Sequence, residues 1–329
     1  MMNRRDTFRQ LGALALLGSL PIARAQAQGS FPDKPVRIVV PFAAGNTLDT
    51  ALRQVAEVFD KNTGQPLLID NRPGGSGIIA AQNVMGAPAD GYTLLLANTS
   101  MFTINPHTFS KLPYDPEKNF RPVTNFLGAS MVMAVNNNVP ANNIKEFVAW
   151  TKSRPGKVSF ASFTAGNSSH FAGVILNQRA GIDMLHVPFN GTPPAVTNLV
   201  GGEVDAAFLP LQAVKPHVDA GKVKVLAVTS PQRSPQLPQV ATFREQGYPD
   251  LDIYIWAAIV APAATPDAAI GRLNAEFVKI LRTPEIREKW KVFDFEPLPS
   301  TPQEFTQFER ADSKRWAEAV KISGFKASE

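Results

Sequence analysis

Pro35-Val36-Arg37-Ile38-Val39-Val40-Pro41-Phe42 is the stretch that decides the fold. It is short, apolar, rich in β-branched residues and closed at both ends by proline, which predicts a buried strand. A loop of small residues follows at 43–47. Then Leu48, Leu52, Val55, Ala56 and Phe59 recur at helical spacing over 48–61. Asn46 or Thr47 can cap this helix, and Asp49 in its first turn suits the positive end of the helix dipole. A strand at 66–70, a glycine-rich loop at 71–77, a helix at 78–85, a turn at 88–91 and a strand at 92–97 continue the alternation. Such a β-α-β-α-β order predicts an α/β fold with a doubly wound, mostly parallel sheet.

The pattern restarts downstream. Strands are predicted at 157–162, 184–187, 203–209 and 223–229, with helices at 170–180, after Pro193, and at 211–220. Two segments, 123–135 and 253–260, are long and apolar without helical spacing, and they fall where one unit gives way to the other. They predict strands that cross between two lobes, with a hinge. The expected organisation places residues 28–128 and 254–329 in lobe 1 and residues 129–253 in lobe 2. Each lobe is a doubly wound, mostly parallel sheet, and helices at 266–282, 284–292 and 302–322 pack back on lobe 1.

Residues 1–27 stand apart. Arg4, Arg5 and Arg9 precede an apolar run at 11–20, shorter than the ~20 residues a membrane span requires. Ala23-Arg24-Ala25 and Ala25-Gln26-Ala27 are overlapping small-x-small cleavage sites. This predicts a cleaved export signal. Arg4-Arg5 with Phe8 resembles a twin-arginine signal, with Phe8 one place late, and a plain Sec signal remains the alternative. The segment carries four arginines against Asp6, so removing this net +3 takes the chain from +5 to +2. A nucleic-acid partner loses its electrostatic support. With 0 cysteines, disulfides, Cys-based zinc sites and a lipidated N-terminal cysteine are excluded.

Enzyme chemistry is thinly represented. Gly166-Asn167-Ser168-Ser169-His170 approaches a nucleophile elbow, but His170 stands in place of the last glycine. His107, His170, His186 and His217 are scattered, and no cofactor is expected. Gly75-Ser76-Gly77-Ile78-Ile79-Ala80 matches a dinucleotide fingerprint, yet it follows the second strand and lacks the acid about 20 residues later. A close-packed glycine turn explains it more simply. A secreted dinucleotide-dependent or hydrolytic enzyme is the alternative reading. What recurs instead is a helix start at the carboxyl end of a strand, at 45–47, 74–77, 166–169 and 191–192. Helix starts of this kind attract anions. Every α/β protein has such loops, so alone they leave binding open.

Longer stretches carry a resemblance. Residues 35–45, Asp70-Asn-Arg-Pro-Gly-Gly-Ser-Gly77, Pro88-Ala-Asp-Gly-Tyr-Thr-Leu95 and Leu112-Pro-Tyr-Asp-Pro116 resemble the Bug receptors, the periplasmic solute-binding components of tripartite tricarboxylate transporters. His186-Val-Pro-Phe-Asn-Gly191, Leu199-Val-Gly-Gly-Glu-Val-Asp205 and residues 220–230 continue the match. The resemblance implies a two-lobed type II periplasmic binding fold, free in the periplasm, monomeric and non-enzymatic, that closes on a small carboxylate. It also implies membrane partners, either the transporter's integral subunits or a sensor.

The implied ligand contacts are Phe42, Ala44, Gly45, Asn46, Thr47, Leu48 and Asp49 in the first loop, with Thr99 and Ser100 after the third strand. In lobe 2 they are Thr164, Ala165, Asn167, Ser168 and Ser169, then Asn190 and Asp205. The chain departs from the family pattern in both main loops: Asn46 replaces a glycine, Leu48 a hydroxyl residue and Asn167 a serine. With Phe42, Phe126, Phe163 and Phe189 near these segments, an aromatic dicarboxylate such as terephthalate is one candidate. A di- or tricarboxylate is the broader expectation. Asp205 could receive an ammonium group, order water, or simply accept backbone hydrogen bonds.

Overall fold

The computed structural model describes residues 31–327; the predicted export signal lies outside them. Among the described residues the strands are β1 (Val36–Val40), β2 (Leu67–Asn71), β3 (Thr93–Asn98), β4 (Phe120–Asn136), β5 (Ser159–Ser162), β6 (Leu185–Pro188), β7 (Ala206–Pro210), β8 (Val223–Val228), β9 (Tyr254–Pro262) and β10 (Phe295–Pro297). The helices are α1 (Thr47–Thr63), α2 (Ile78–Met85), α3 (Asn105–Thr108), α4 (Pro116–Asn119), α5 (Ile144–Lys152), α6 (Ser168–Ala180), α7 (Thr192–Gly201), α8 (Leu211–Asp219), α9 (Asp267–Leu281), α10 (Pro284–Lys291) and α11 (Pro302–Ser323). None of these helices is long and apolar enough to cross a membrane.

The strands join in the order β2-β1-β3-β9-β4-β7-β5-β6, with β8 and β10 added on β4. Within each half the βαβ strands are parallel: β2, β1 and β3 in the first, β5, β6 and β7 in the second. The mixed α/β architecture follows the alternation expected from 35–97 and 157–229. Helix α5 lies in a segment where the sequence pattern suggested no element. Its Asn143 cap and buried Ile144, Phe147 and Thr151 show why it forms.

β4 joins the halves. Its residues 120–130 pair with β9 and its residues 131–136 with β7 and β8. β9 enters at the boundary, Tyr254 opposite Ser130, and runs its paired length in the first half. Each half is covered on both faces. In the first, Leu52, Phe59, Phe277 and Trp290 cover one face, and Ala80, Val84 and Phe305 the other. In the second, Phe147, Phe171 and Leu176 face Ala195, Leu199 and Leu211 across the sheet. Phe126, expected near the cleft, is instead a core residue with 0% exposure, edge-on to Trp290 at 5.2 Å between ring centroids.

α11 does not pack wholly on the first half. Phe305 joins that core, whereas Trp316, Ala319 and Val320 join the second. Between them the buried Asp312 carboxylate accepts hydrogen bonds from Thr103 Oγ1 (3.0 Å), Trp256 Nε1 (2.8 Å) and Trp316 Nε1 (3.0 Å), and pairs with Arg315. In the second half the imidazoles of His170 and His186 stack with centroids 3.8 Å apart, and His186 Nε2 lies 2.7 Å from Ser162 Oγ. Burial holds both rings neutral, down to about 4, and the proximity of His170 adds to the effect on His186.

Two expectations follow from these buried groups. Asp312→Ala strands two indole donors and Arg315, and should lower unfolding stability by about 3 kcal/mol or more, read by urea titration. A loss under 1 kcal/mol would contradict the network. For the histidines, the unfolded chain takes up protons near pH 6.5 while the folded rings resist until about 4. Their stabilisation is therefore present above pH 6.5 and lost as pH falls through 4. His186→Gln should flatten that slope; an unchanged acid profile would refute it.

Candidate functional site: loops facing across β4

Strand register places the loops. β3 ends at Asn98, opposite Ala257, which lies opposite Leu127 of β4. β7 ends at Pro210, opposite Met131. β9 runs against both β3 and β4, so β1–β3 point the same way as β4, while β7, β5 and β6 point against it. The carboxyl ends of the two half-sheets thus face each other, four β4 residues or about 13 Å apart along the strand. Carboxyl edges are where open α/β sheets bind ligands. The loops that leave these edges are 41–46, 72–77 and 99–100 on one side, and 163–167 and 189–191 on the other.

In the first loop, residues 43–46 are exposed and stiffened from behind. Asn46 caps α1, its Oδ1 accepting from Leu48 N at 2.9 Å. Asp49, with 0% exposure, accepts from Gly45 N (2.9 Å), Arg53 Nε (2.9 Å) and Asn71 Nδ2 (2.9 Å). Asn71 Nδ2 also donates to Phe42 O. Burial alone pushes the Asp49 carboxyl up. The hydrogen bonds from Arg53, Asn71 and Gly45, with the Arg53 charge, outweigh it and hold the group below its usual range. Asp49 therefore positions the loop and does not line its outer face. Leu48 and Phe42 are half-buried against the first core.

Thr99 is buried too. Its Oγ1 accepts from Trp256 N at 2.8 Å and donates to Trp256 O, which leaves the half-buried Ser100 as the hydroxyl at this edge. The glycine turn before α2 is a packing device: a Cβ on Gly77 would lie 2.5 Å from Met101 Cγ and Sδ.

The second loop is built the same way. Asn167 Oδ1 accepts from Ser169 N (3.0 Å), His170 N (3.2 Å) and Ser169 Oγ (2.7 Å), and Ser169 Oγ accepts from Phe163 N at 3.1 Å. Ser168 and Ser169, expected in a loop, form the buried first turn of α6. The Ser169 hydroxyl is thus spent inside the cap. Thr164 and Ala165 form the exposed tip. Asn190 is exposed at the end of β6, where Gly191 N donates to Phe163 O at 2.8 Å and ties the two loops together. α7 is a poor anion site, because Pro193 and Pro194 follow Thr192 and bring no N–H.

Asp205 is not with this group. It precedes β7 at the opposite edge of the sheet, accepts from Ser159 N (2.8 Å) and Ser159 Oγ (3.2 Å), and lines a separate cavity of about 230 Å³. A residue that sequence patterns did not suggest stands behind the second loop. Phe325, from the segment after α11, packs so closely that a Cβ on Gly166 would lie 2.4 Å from its ring. Nothing local in the sequence signals that contact, which spans more than 150 residues of chain.

The comparisons agree with this architecture. A family model described as "Tripartite tricarboxylate transporter family receptor" matches residues 51–325. A Pseudomonas sp. (strain P51) protein described as "UPF0065 protein in tcbD-tcbE intergenic region" is 33% identical over 313 residues, covering 95% of this chain and 93% of that one. Protein BugT of Bordetella pertussis is 30% identical over 306 residues, covering 93% and 94%. Among solved structures, R. palustris Rpa4515 with adipate superposes with TM-score 0.81 at 29% identity, covering 90% of this chain and 99% of that one. MatC from Rhodopseudomonas palustris with bound malate gives TM-score 0.75 at 30% identity, covering 88% and 100%. The matched family is one of receptors, and the enzyme alternative gives way. The chain belongs to the tripartite tricarboxylate transporter receptor family, a family of solute receptors.

Proposed function

We propose that the protein is a periplasmic receptor that closes its two lobes on a small dicarboxylate and presents it to the membrane subunits of a tripartite transporter. The observation that supports this reading is the register along β4, which turns the carboxyl edges of the two half-sheets toward each other, and from those edges the exposed tips 43–46 and 164–165 lead into α1 and α6. Helix starts offer backbone N–H donors and positive dipole charge to a carboxylate. One such end on each lobe suits an anion with a charge at either end, as in the adipate and malate held by the two solved neighbours. An export signal at 1–27, followed by cleavage, would deliver it to that compartment.

The body of the ligand is where this chain departs from a simple succinate-like solute. Phe42 and Leu48 are half-buried against the first half's core, and Phe163 and Phe189 are half-buried against the second's. They favour a dicarboxylate with an apolar spacer. An aliphatic chain of adipate length or an aromatic ring, as in terephthalate, fits that description. The hinge comprises β4 and the return segment 229–253, where Thr229 Oγ1 donates to Met131 O and Ile253 O, so the lobes pivot about a bonded axis.

A thermal-shift screen of the chain from residue 28 onward, against adipate, malate, succinate, citrate and terephthalate, tests the reading. A dicarboxylate at ~100 times its Kd should add ~2.7 kcal/mol, with spacer-rich ligands ahead of malate. Silence across the panel after refolding from denaturant would overturn it. Asp49→Asn should weaken the best ligand by about tenfold, or ~1.4 kcal/mol, because the Gly45 N–H loses its anionic anchor; unchanged affinity would remove Asp49 from the positioning role. Small-angle scattering should show a smaller radius of gyration at saturation, and an identical profile would count against closure.

A further inference from the structure

Away from the facing loops, the chain from Phe102 to Asn119 and the middle of α11 line an open pocket of about 820 Å³, within the range of small-molecule sites. Its apolar lining includes Phe102, Phe109, Leu112 and Tyr114. The charged groups around it are mostly matched. Asp115 pairs with Lys118 at 2.7 Å and caps α4; Glu117 pairs with Arg310 at 2.8 Å. Behind the wall, Asp312 pairs with Arg315, and His107 Nε2 meets Ser313 Oγ at 2.8 Å.

Glu309 is the exception. It lines the pocket and is only 6% exposed, yet among the described residues no hydrogen bond or ion pair reaches its carboxylate. Burial pushes this carboxyl up to about 8; the charge of Glu117 adds to the shift and Arg310 opposes it. An unpartnered buried acid is destabilising wherever it must ionise. A ligand that supplies one positive charge removes that penalty.

We propose that this pocket is a second ligand site, separate from the cleft, for a small organic monocation whose ammonium group meets Glu309 and whose apolar or aromatic body lies against Phe102, Phe109, Leu112 and Tyr114. One charge is specified because Asp115 and Glu117 already have partners. Aromatic lining suits an ammonium head through the ring quadrupole as well as through burial. The same uncompensated acid disfavours a carboxylate, so the site does not duplicate the cleft.

The sign of the pH dependence is set by Glu309. Below about pH 8 its carboxyl is protonated and neutral, and above it the carboxylate attracts the cation, so affinity rises with pH and then levels. His107 stays out of this window, because burial lowers its proton affinity and leaves the ring neutral.

The test is isothermal titration of the chain from residue 28 onward with benzyltrimethylammonium, whose charge does not vary with pH. Saturable one-to-one binding about thirtyfold tighter at pH 9 than at pH 6.5 is expected. Glu309→Gln should lose at least about tenfold at pH 9 and abolish the pH dependence, with its unfolding midpoint at pH 7 as the control for folding. The proposal is overturned by the absence of saturable binding to the unsubstituted protein at pH 9 up to about 10 mM. Affinity that falls with pH, or equal affinity in a folded Glu309→Gln, overturns it too. The pH profile of the unsubstituted protein decides the matter even where the variant does not fold.

Discussion

The hydrogen-bonded continuity of β4 is the constraint on which the rest of the molecule depends. A 17-residue strand carries β9 and β10 on its first part and β7 and β8 on its second. Its backbone groups are buried and must be paired, so the strand cannot break between the halves. What it can do is shift register, and it does so between Pro122 and Thr124, between Asn125 and Leu127, and between Met133 and Ala134 against β8. Such irregularities bend and twist a strand without unpairing it. The two half-sheets therefore stay on one axis while their carboxyl edges confront each other.

Where those edges confront each other, the side chains are organised to hold backbone in place. Asn46, Asp49, Thr99, Asn167 and Ser169 all spend polar atoms inward, on caps or on neighbouring strands. The economy is physical. A loop of small residues is disordered unless its N–H groups are fixed, and donors fixed before the ligand arrives lose less entropy on binding. The tips 43–46 and 164–165 are left exposed.

α11 adds a second tie between the halves. It seats Phe305 in one core and Trp316 in the other, and between them Asp312 binds the indoles of Trp256 and Trp316 and the hydroxyl of Thr103. A fully satisfied buried carboxylate is geometrically demanding, and it fixes the helix against the turn that follows β3. Glu309, about one turn earlier on the same helix, is the opposite case, a carboxyl buried without such partners.

Local pattern alone determined a good deal. The apolar runs that become β1, β3 and β5, the Asn46 cap, and the restart of the βαβ alternation were all legible, because strand burial and helix capping are governed by residues close in sequence. The loops after β1 and β5, which lead into α1 and α6, were placed at those strand ends for the same reason. Tertiary structure decided which atoms remained available there. Ser169 looked like an exposed hydroxyl until Phe163 N reached it, and Phe126 looked like a cleft ring until Trp290 packed against it. Asp205 followed a family-like motif, but strand direction put it at the far edge of the sheet. The face of Gly166 was closed by Phe325 from the end of the chain. Sequence periodicity records which side of an element is buried, because burial repeats along it. It carries no record of which distant group does the burying, and that partner decides whether a polar atom is left for a ligand.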